Sequence, residues 1–282
     1  MIRLGAYGLL GAVVRIRSSA PLARHLAGAL VDLSCADRRR APMLTVEAFR
    51  ESGWSVSWPN EQRYEGPDQD VAFYDVLGAL NEAAAQHVSV TGRVGLHGGA
   101  VRIGATGVAV VGHSGAGKST LTAGLVQAGH GYIADELAAV SLLGTHSADP
   151  AGGASVHPFH RPIGLRSGGL KALDLACSGG PFEFTFPLVA STIGRLVEAA
   201  PLGLVVFVDR NPLAPPQTSP LRPAHALHRL SNNTLGTCGM EREIFSKLEQ
   251  LVRKVPAVVV RYGTIEQGVR LIELAVAGLA SE

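Results

Sequence analysis

The feature that most constrains this chain is a glycine-rich segment between an apolar run and a stretch with helical spacing. Residues 112–120 read Gly-His-Ser-Gly-Ala-Gly-Lys-Ser-Thr, which matches the pattern G-x-x-x-x-G-K-[ST]. The apolar run before it, 107–112, is typical of a buried strand, and apolar residues recur at helical spacing over 120–129. A strand, a glycine loop and a helix in this order predict an α/β fold with a phosphate-binding loop.

The residue types in this segment suit a nucleoside triphosphate for physical reasons. Glycines permit backbone torsions closed to other residues and let N–H groups approach phosphate oxygens. The predicted helix begins near Lys118, so its unpaired N–H groups and the positive end of its dipole face the same anion. We expect Lys118 to reach the β- and γ-phosphates and the Ser119 hydroxyl to bind Mg²⁺. The residues expected to contact the nucleotide are Gly112, Ser114, Gly115, Ala116, Gly117, Lys118, Ser119 and Thr120.

Composition and charge argue against several other classes of protein. Of the 282 residues, 46% are hydrophobic and 17% charged, which provides enough apolar side chains for a sizeable core. The net charge of +2 gives no reason to expect nucleic acid as a partner. Apolar runs stay shorter than the ~18 residues that a membrane span requires. We therefore expect no membrane partner and a reducing, cytoplasmic location. The three cysteines have no metal-site spacing and are expected to serve as small apolar residues.

Two parts of the chain differ in character. Residues 1–86 predict a small α+β module, and residues 87–282 predict the domain that carries the glycine loop. The first 14 residues are weakly similar to a signal peptide, but a pair of strands is favoured because arginines follow directly. Further strands are predicted at 54–58, 88–90, 99–103, 131–136, 204–209 and 257–261, helices at 71–86, 240–255 and 265–279, and irregular segments at 38–42, 144–155 and 211–223.

A nucleotide site needs an acid that holds Mg²⁺ or takes a proton from a nucleophile, and two strand ends offer one. Asp135 and Glu136 end one predicted strand, and Asp209 ends another. The pattern alone slightly favours Asp209, because an apolar strand that ends in aspartate is the common form of a Walker B strand. Either acid could equally cap a strand end and face solvent.

Three segments together resemble the catalytic domain of HPr kinase/phosphorylase and its relatives. They are the His-Gly strand at 96–103, the glycine loop at 112–120, and 127–136, which ends in the acid pair. Their order and spacing are similar to those of the family over about residues 94–140. The resemblance implies a P-loop kinase domain of the HPr-kinase C-terminal type, which uses ATP and Mg²⁺ to phosphorylate a serine hydroxyl.

The resemblance also implies a role for each matched residue. Asp135 matches the acid that acts as base toward the substrate hydroxyl, and Glu136 matches the second acid, which would bind Mg²⁺ with Ser119. His97 matches the histidine near the phosphate and the acid pair. The implied catalytic residues are thus Asp135, His97 and Lys118, and the base moves from Asp209 to Asp135.

The remaining histidines of these segments carry no assigned chemistry. His113 occupies a variable position of the loop and is expected to point outward, and His130 is expected to belong to a turn.

The chain departs from the family in two places. A further acidic signature of the HPr enzymes has no clear counterpart, and 157–166 instead resembles the P-R-P-I-x-L-K stretch of related proteins of unassigned substrate. Within it, Arg161 or Arg166 could contact phosphate or face solvent. Residues 7–22 are similar to kinases found with ribosomally made peptides such as lasso peptides.

The implied partner is therefore a peptide or small protein with an acceptor serine. A peptide precursor is preferred and HPr comes second. A small-molecule kinase and a non-catalytic nucleotide-binding regulatory module are the alternatives. ATP is favoured by the resemblance, although the motif itself does not distinguish it from GTP. The hexamers of the HPr enzymes leave a homo-oligomer open.

Overall fold

The computed structural model describes residues 2–36, 42–49, 53–58, 62–142, 153–175, 186–237 and 239–279. Over these ranges the chain forms seven α-helices and sheets of six, ten and two strands. The chain is thus of the predicted mixed α/β class. None of the described helices is both long and apolar enough to cross a membrane.

The N-terminal region folds as one sheet with two helices. Its elements are β1 (Ile2–Leu9), β2 (Ala12–Ser18), α1 (Ala20–Ala29), β3 (Ser34–Cys35), β4 (Met43–Phe49), β5 (Gly53–Ser57), β6 (Gln62–Gly66) and α2 (Gln69–Val90). The strands lie in the order β3-β1-β2-β4-β5-β6. Antiparallel pairing of β1 with β2 confirms the predicted strand pair at the N-terminus. Most of the arginine-rich segment predicted as an exposed loop, residues 37–41, lies outside the described residues.

Helix α2 is longer than predicted. It starts where the Asp68 carboxylate accepts hydrogen bonds from two N–H groups of the first turn. The strand predicted at 88–90 is wrong, because these residues form the last turn of α2. Val88 extends the buried i, i+4 row of Leu80 and Ala84, so packing outweighs the strand preference of a β-branched residue. The predicted domain boundary at residue 86 lies within α2, which continues to Val90. The division of the chain into two domains stays a prediction.

The second region carries most of the strands. Its elements are β7 (Val94–Leu96), β8 (Gly98–Ile103), β9 (Thr106–Val111), α3 (Lys118–Gln127), β10 (Gly131–Ala134), β11 (Ala138–Leu142), β12 (Ala154–His157), β13 (Ile163–Leu165), α4 (Ser167–Ala172), β14 (Phe186–Leu188), β15 (Ala200–Arg210), β16 (Gln217–Leu221), α5 (Pro223–Ser231), β17 (Thr234–Leu235), α6 (Glu241–Lys254), β18 (Ala257–Tyr262) and α7 (Ile265–Leu279). The strands and helices predicted from residue 99 onward are confirmed.

Two segments predicted to be irregular contain strands. Within 211–223, strand β16 pairs antiparallel with β18 in spite of Pro220. The proline is tolerated because β16 lies at an edge of the described sheet. Within 144–155, the last two residues belong to β12, and residues 143–152 lie outside the described ranges.

Strands β9, β15 and β18 run parallel and form the centre of the large sheet. On one face Val108 and Val110 pack into a cluster with α3 and α7. On the other face Ala109, Val111 and Phe207 join a cluster that includes α5 and α6 and continues into the N-terminal region. The carboxyl ends of these parallel strands therefore share one edge, where ligands of open α/β sheets usually bind.

Candidate functional site

The glycine loop connects β9 to α3 at this edge. Gly115 and Gly117 have φ angles of +79° and +93°, a region that favours glycine. Gly117 is also the N-cap of α3, and a Cβ there would lie 3.2 Å from the Tyr262 hydroxyl oxygen. The predicted nucleotide contacts at 112–120 thus lie together in one loop and the first turn of a helix, with free N–H groups at its start.

Lys118 is buried and bends back over the loop. Its Nζ donates to the His113 carbonyl oxygen at 3.1 Å, and only 7% of the residue is exposed. Burial lowers the pKa of Lys118, while the charges of Glu136 and Asp135 act to raise it. The charged group of Lys118 therefore interacts with both acids. The side chain of His113 is exposed, in agreement with the expectation that it points outward.

Asp135 follows β10 and is almost completely buried, with 1% of its surface exposed. The Gly164 N–H donates to its Oδ2 at 3.4 Å, and within the described part of the chain its Oδ1 has no hydrogen-bond partner. Burial raises the pKa of Asp135 to about 6, and the charge of Glu136 adds to this. Arg161, the Ser119 hydroxyl and the Gly164 N–H act in the opposite direction.

Glu136 has the opposite electrostatic character. The Nε2 atom of His97 lies 3.2 Å from its Oε2. This hydrogen bond, together with the charges of Arg161, His97 and Lys118, lowers the pKa of Glu136 to about 2 against the effect of burial. Its φ of +64° is unusual for a residue with a side chain, and backbone strain of this kind tends to cluster at functional sites. One acid is thus ionised at all working pH values while the other titrates within reach of neutrality.

His97 lies between β7 and β8 and is fixed by its backbone. Its N–H donates to the Asn233 carbonyl oxygen at 2.7 Å, where β17 pairs with β7. Two residues after His97, β8 comes so close to α3 that only glycine fits. A Cβ at Gly99 would lie 2.1 Å from the Thr122 hydroxyl oxygen. The imidazole is therefore held against Glu136 by the strand pairing on both sides of it.

The structure separates the two arginines that the sequence left open. Arg161 is 6% exposed, its charge acts on both acids, and its Nε and Nη1 find no partner among the described residues. Its carbonyl oxygen accepts a hydrogen bond from the Tyr132 hydroxyl at 2.7 Å. Arg166 is exposed and precedes α4. The apolar neighbours of Arg161, Pro162 and Ile163, are the sequence signal that could have indicated burial.

Asp209 lies on the other side of the loop strand. The sheet order β10-β8-β9-β15-β18 places the strand that carries Asp135 and the strand that carries Asp209 on opposite sides of β9. Arg261 donates from Nε to Asp209 Oδ2 at 2.7 Å, and both side chains are more than one third exposed. The structure thus does not bring Asp209 to the acid pair. His130, in the predicted turn before β10, interacts with Glu273 of α7 at 3.1 Å.

The side-chain atoms near the loop that could bind a metal ion are mostly oxygens. The Ser119 hydroxyl, the ionised Glu136 and the unpartnered Asp135 oxygen are of the kind that Mg²⁺ prefers. Within the described ranges, no group of three or more His, Cys, Asp or Glu side chains could hold a metal ion by itself. The donor set therefore fits a Mg²⁺ ion that is shared with phosphate oxygens and water better than one held by protein alone.

Comparison with known proteins finds similarity to solved structures. No family profile and no curated protein matches the chain. The chain is similar to the solved structure of the Hpr(Ser) kinase/phosphatase from Coxiella burnetii. The two sequences are 12% identical, the TM-score is 0.36, and the match covers 66% of this chain and 98% of that one.

Proposed function

We propose that the protein is an ATP- and Mg²⁺-dependent kinase that transfers the γ-phosphate to a serine hydroxyl of a peptide or small protein. One observation carries this proposal: Asp135, a buried carboxylate, lies beside Ser119 of the glycine loop, and its Oδ1 has no hydrogen-bond partner in the part of the chain that the structure describes. A loop alone would support nucleotide binding. A buried base beside it adds the group that a hydroxyl acceptor needs.

The proposed step is an in-line displacement. The serine oxygen forms a bond to the γ-phosphorus as the bond from that phosphorus to the bridging oxygen breaks, and ADP leaves. Asp135 takes the hydroxyl proton on its unpartnered oxygen. Its pKa of about 6 suits this role because the carboxylate is ionised at neutral pH and still has affinity for a proton.

The cationic groups would stabilise the charge of the transferring phosphoryl group. Lys118 interacts with the acids from the loop, and Arg161 from the segment before β13. The Nε and Nη1 atoms of Arg161 have no partner among the described residues. A buried guanidinium without a partner carries a large desolvation cost, which a phosphate would offset. His97 would act by orienting Glu136 through their hydrogen bond.

Ser119 and Glu136 are the residues that we propose to hold Mg²⁺ at this site. The ion, when bound, would neutralise part of the negative charge on the phosphates. The low pKa of Glu136 means that this ligand needs no deprotonation before the metal binds.

The acceptor that we favour is a ribosomally made peptide precursor, as the similarity of residues 7–22 to kinases of that kind suggests, with HPr as the second candidate. Both offer a serine hydroxyl, so the chemistry proposed for Asp135 is the same for either one.

The direct test is incubation of the purified protein with γ-³²P-ATP, Mg²⁺ and serine-containing peptides, with HPr and free serine in parallel. We expect label on peptide serine, and none with the Asp135→Asn variant. Label on free serine alone would establish a small-molecule kinase. Nucleotide binding without transfer to any acceptor would refute the kinase and support a regulatory nucleotide-binding module.

A further inference from the structure

A cavity of about 610 Å³ opens beside the glycine loop. Its floor is the sheet face opposite α3 and α7, formed by alternate residues of neighbouring strands: Phe207 from β15, and Val259 and Arg261 from β18. Its wall is the C-terminal end of α5, with Arg229. A cavity of this size accommodates a short peptide segment or a small molecule, and it is too small for a folded protein.

The cavity is connected to the proposed catalytic site at two points. Gly112 and His113, the first residues of the glycine loop, belong to its lining. Asn233 also lines it, and the carbonyl oxygen of this residue holds the backbone of His97, which in turn contacts Glu136. One end of a peptide segment bound in the cavity would therefore lie next to the glycine loop and close to the acid pair.

The charges in the cavity do not balance. Asp209 and Arg261 form an ion pair at 2.7 Å and compensate each other. Arg229 stacks on the Phe207 ring, with its guanidinium carbon 5.5 Å from the ring centroid. Within the described part of the chain, no carboxylate forms an ion pair with Arg229. The lining thus has one uncompensated positive charge, held in place by an aromatic ring.

We propose that this cavity is the acceptor site, and that it takes a short, unfolded peptide segment with an acidic side chain next to the serine, bound by Arg229. This inference rests on the proposed kinase activity, since it assigns that activity its acceptor. A guanidinium that is already oriented by a ring loses little freedom when it binds a carboxylate. The apolar floor would bury the aliphatic parts of the segment.

The test compares two fluorescein-labelled pentapeptides, Gly-Asp-Ser-Asp-Gly and Gly-Asn-Ser-Asn-Gly, with the wild-type protein and the variants Arg229→Gln and Arg222→Gln. Arg222 is an exposed arginine at the start of the same helix, outside the cavity lining, and serves as the matched control. We expect wild type to bind the acidic peptide more tightly. Arg229→Gln should weaken that binding about tenfold, which corresponds to about 1.4 kcal/mol.

Fluorescence anisotropy measures this binding without any transfer step, so the outcomes separate. The inference is wrong if wild type binds both peptides equally, or if Arg229→Gln and Arg222→Gln behave alike. If the charge preference is present but no peptide is phosphorylated, peptide binding in the cavity stands, while the kinase proposal and the assignment of the cavity as its acceptor site both fail. If transfer does occur, Arg229→Gln should raise KM for the acidic peptide about tenfold with kcat nearly unchanged.

Discussion

Two strand ends of this protein have the same local sequence pattern but different surroundings. Asp135 comes directly after β10 and Asp209 lies near the end of β15, and these two buried apolar strands lie on opposite sides of the loop strand β9. Asp135 is 1% exposed, has a carboxylate oxygen without a partner among the described residues and lies beside Ser119. The Asp209 side chain is 38% exposed and is paired with Arg261. A carboxylate that is paired and hydrated is a poor proton acceptor, whereas a buried one with a free oxygen is suited to the role.

The largest expected difference between the two acids is in catalysis. Asp135→Asn should reduce phosphoryl transfer by about 10²–10⁴-fold, the usual contribution of a general base. Asp209→Asn should reduce kcat less than about tenfold, since Asp209 lies across β9 from the acid pair and borders the proposed acceptor cavity instead. Steady-state assays with labelled ATP measure both effects, and calorimetry should show that each variant still binds nucleotide. If Asp209→Asn lost more phosphoryl-transfer activity than Asp135→Asn, Asp209 rather than Asp135 would be the general base.

Arg161 extends the comparison, because its charge acts on Asp135 and Glu136. Replacing it in Arg161→Gln should lower kcat by about 10²–10³-fold, the cost of losing one donor to a developing negative charge. Arg166→Gln, at an exposed position of the same segment, should change kcat less than twofold. The assay is the same as for the acids.

Because Arg161 is buried, its replacement could also disturb the fold. Circular dichroism and Arg161→Lys serve as controls, since the lysine keeps the charge and should restore part of the rate. A folded Arg161→Gln protein with full activity would remove Arg161 from the site.

The pH dependence of stability distinguishes the acids in a third way. In the nucleotide-free, metal-free protein the pKa of Asp135 is raised from 3.8 to about 6, so the fold disfavours the charged carboxylate. Stability from this group is fully present below pH 3.8 and is lost as the pH rises toward 6, at a cost of about 3 kcal/mol at neutral pH. Asp135→Asn should therefore be stabilising at pH 7.5, and less so as the pH falls to 5. Urea unfolding at the two pH values measures this gain, and a gain independent of pH would contradict the burial argument.

The smallest expected effect concerns the stability contributed by the Asp209–Arg261 pair. Both side chains are partly exposed, so the attraction is screened by water. Asp209→Asn should therefore lower the free energy of unfolding by no more than about 1 kcal/mol. Urea unfolding in low and high salt provides the measurement. A loss above about 2 kcal/mol would show that this pair is a structural anchor rather than a surface contact.

Local patterns were sufficient for much of the fold. The run before the loop, the loop itself and the helix from Lys118 appear where they were predicted, because glycine torsions, strand apolarity and helical spacing are properties of short segments. The same holds for the strand that precedes Asp135 and for helix α7. The predictions at 88–90 and at 217–221 were wrong, because packing of a helix face and an open sheet edge decide those two segments.

The site was predicted only in part. The loop residues followed from their motif, but the choice of Asp135 over Asp209 came from a resemblance, since the strand pattern favoured the other acid. Arg161 could not be separated from Arg166, because burial depends on which strands surround the segment. The cavity that contains Arg229 had no sequence signal at all, since its lining comes from elements far apart in the chain.

The sequence by itself thus determined the phosphate-loop chemistry, because that chemistry needs glycines, a lysine and a serine at fixed spacing in one short segment. Tertiary structure alone decided which acid is buried with a free oxygen, which arginine joins it, and what lies beside them. The physical reason is that desolvation and the charge of neighbours set the properties of a carboxylate. Both are supplied by residues distant in sequence, as Arg161 and Gly164 are for Asp135.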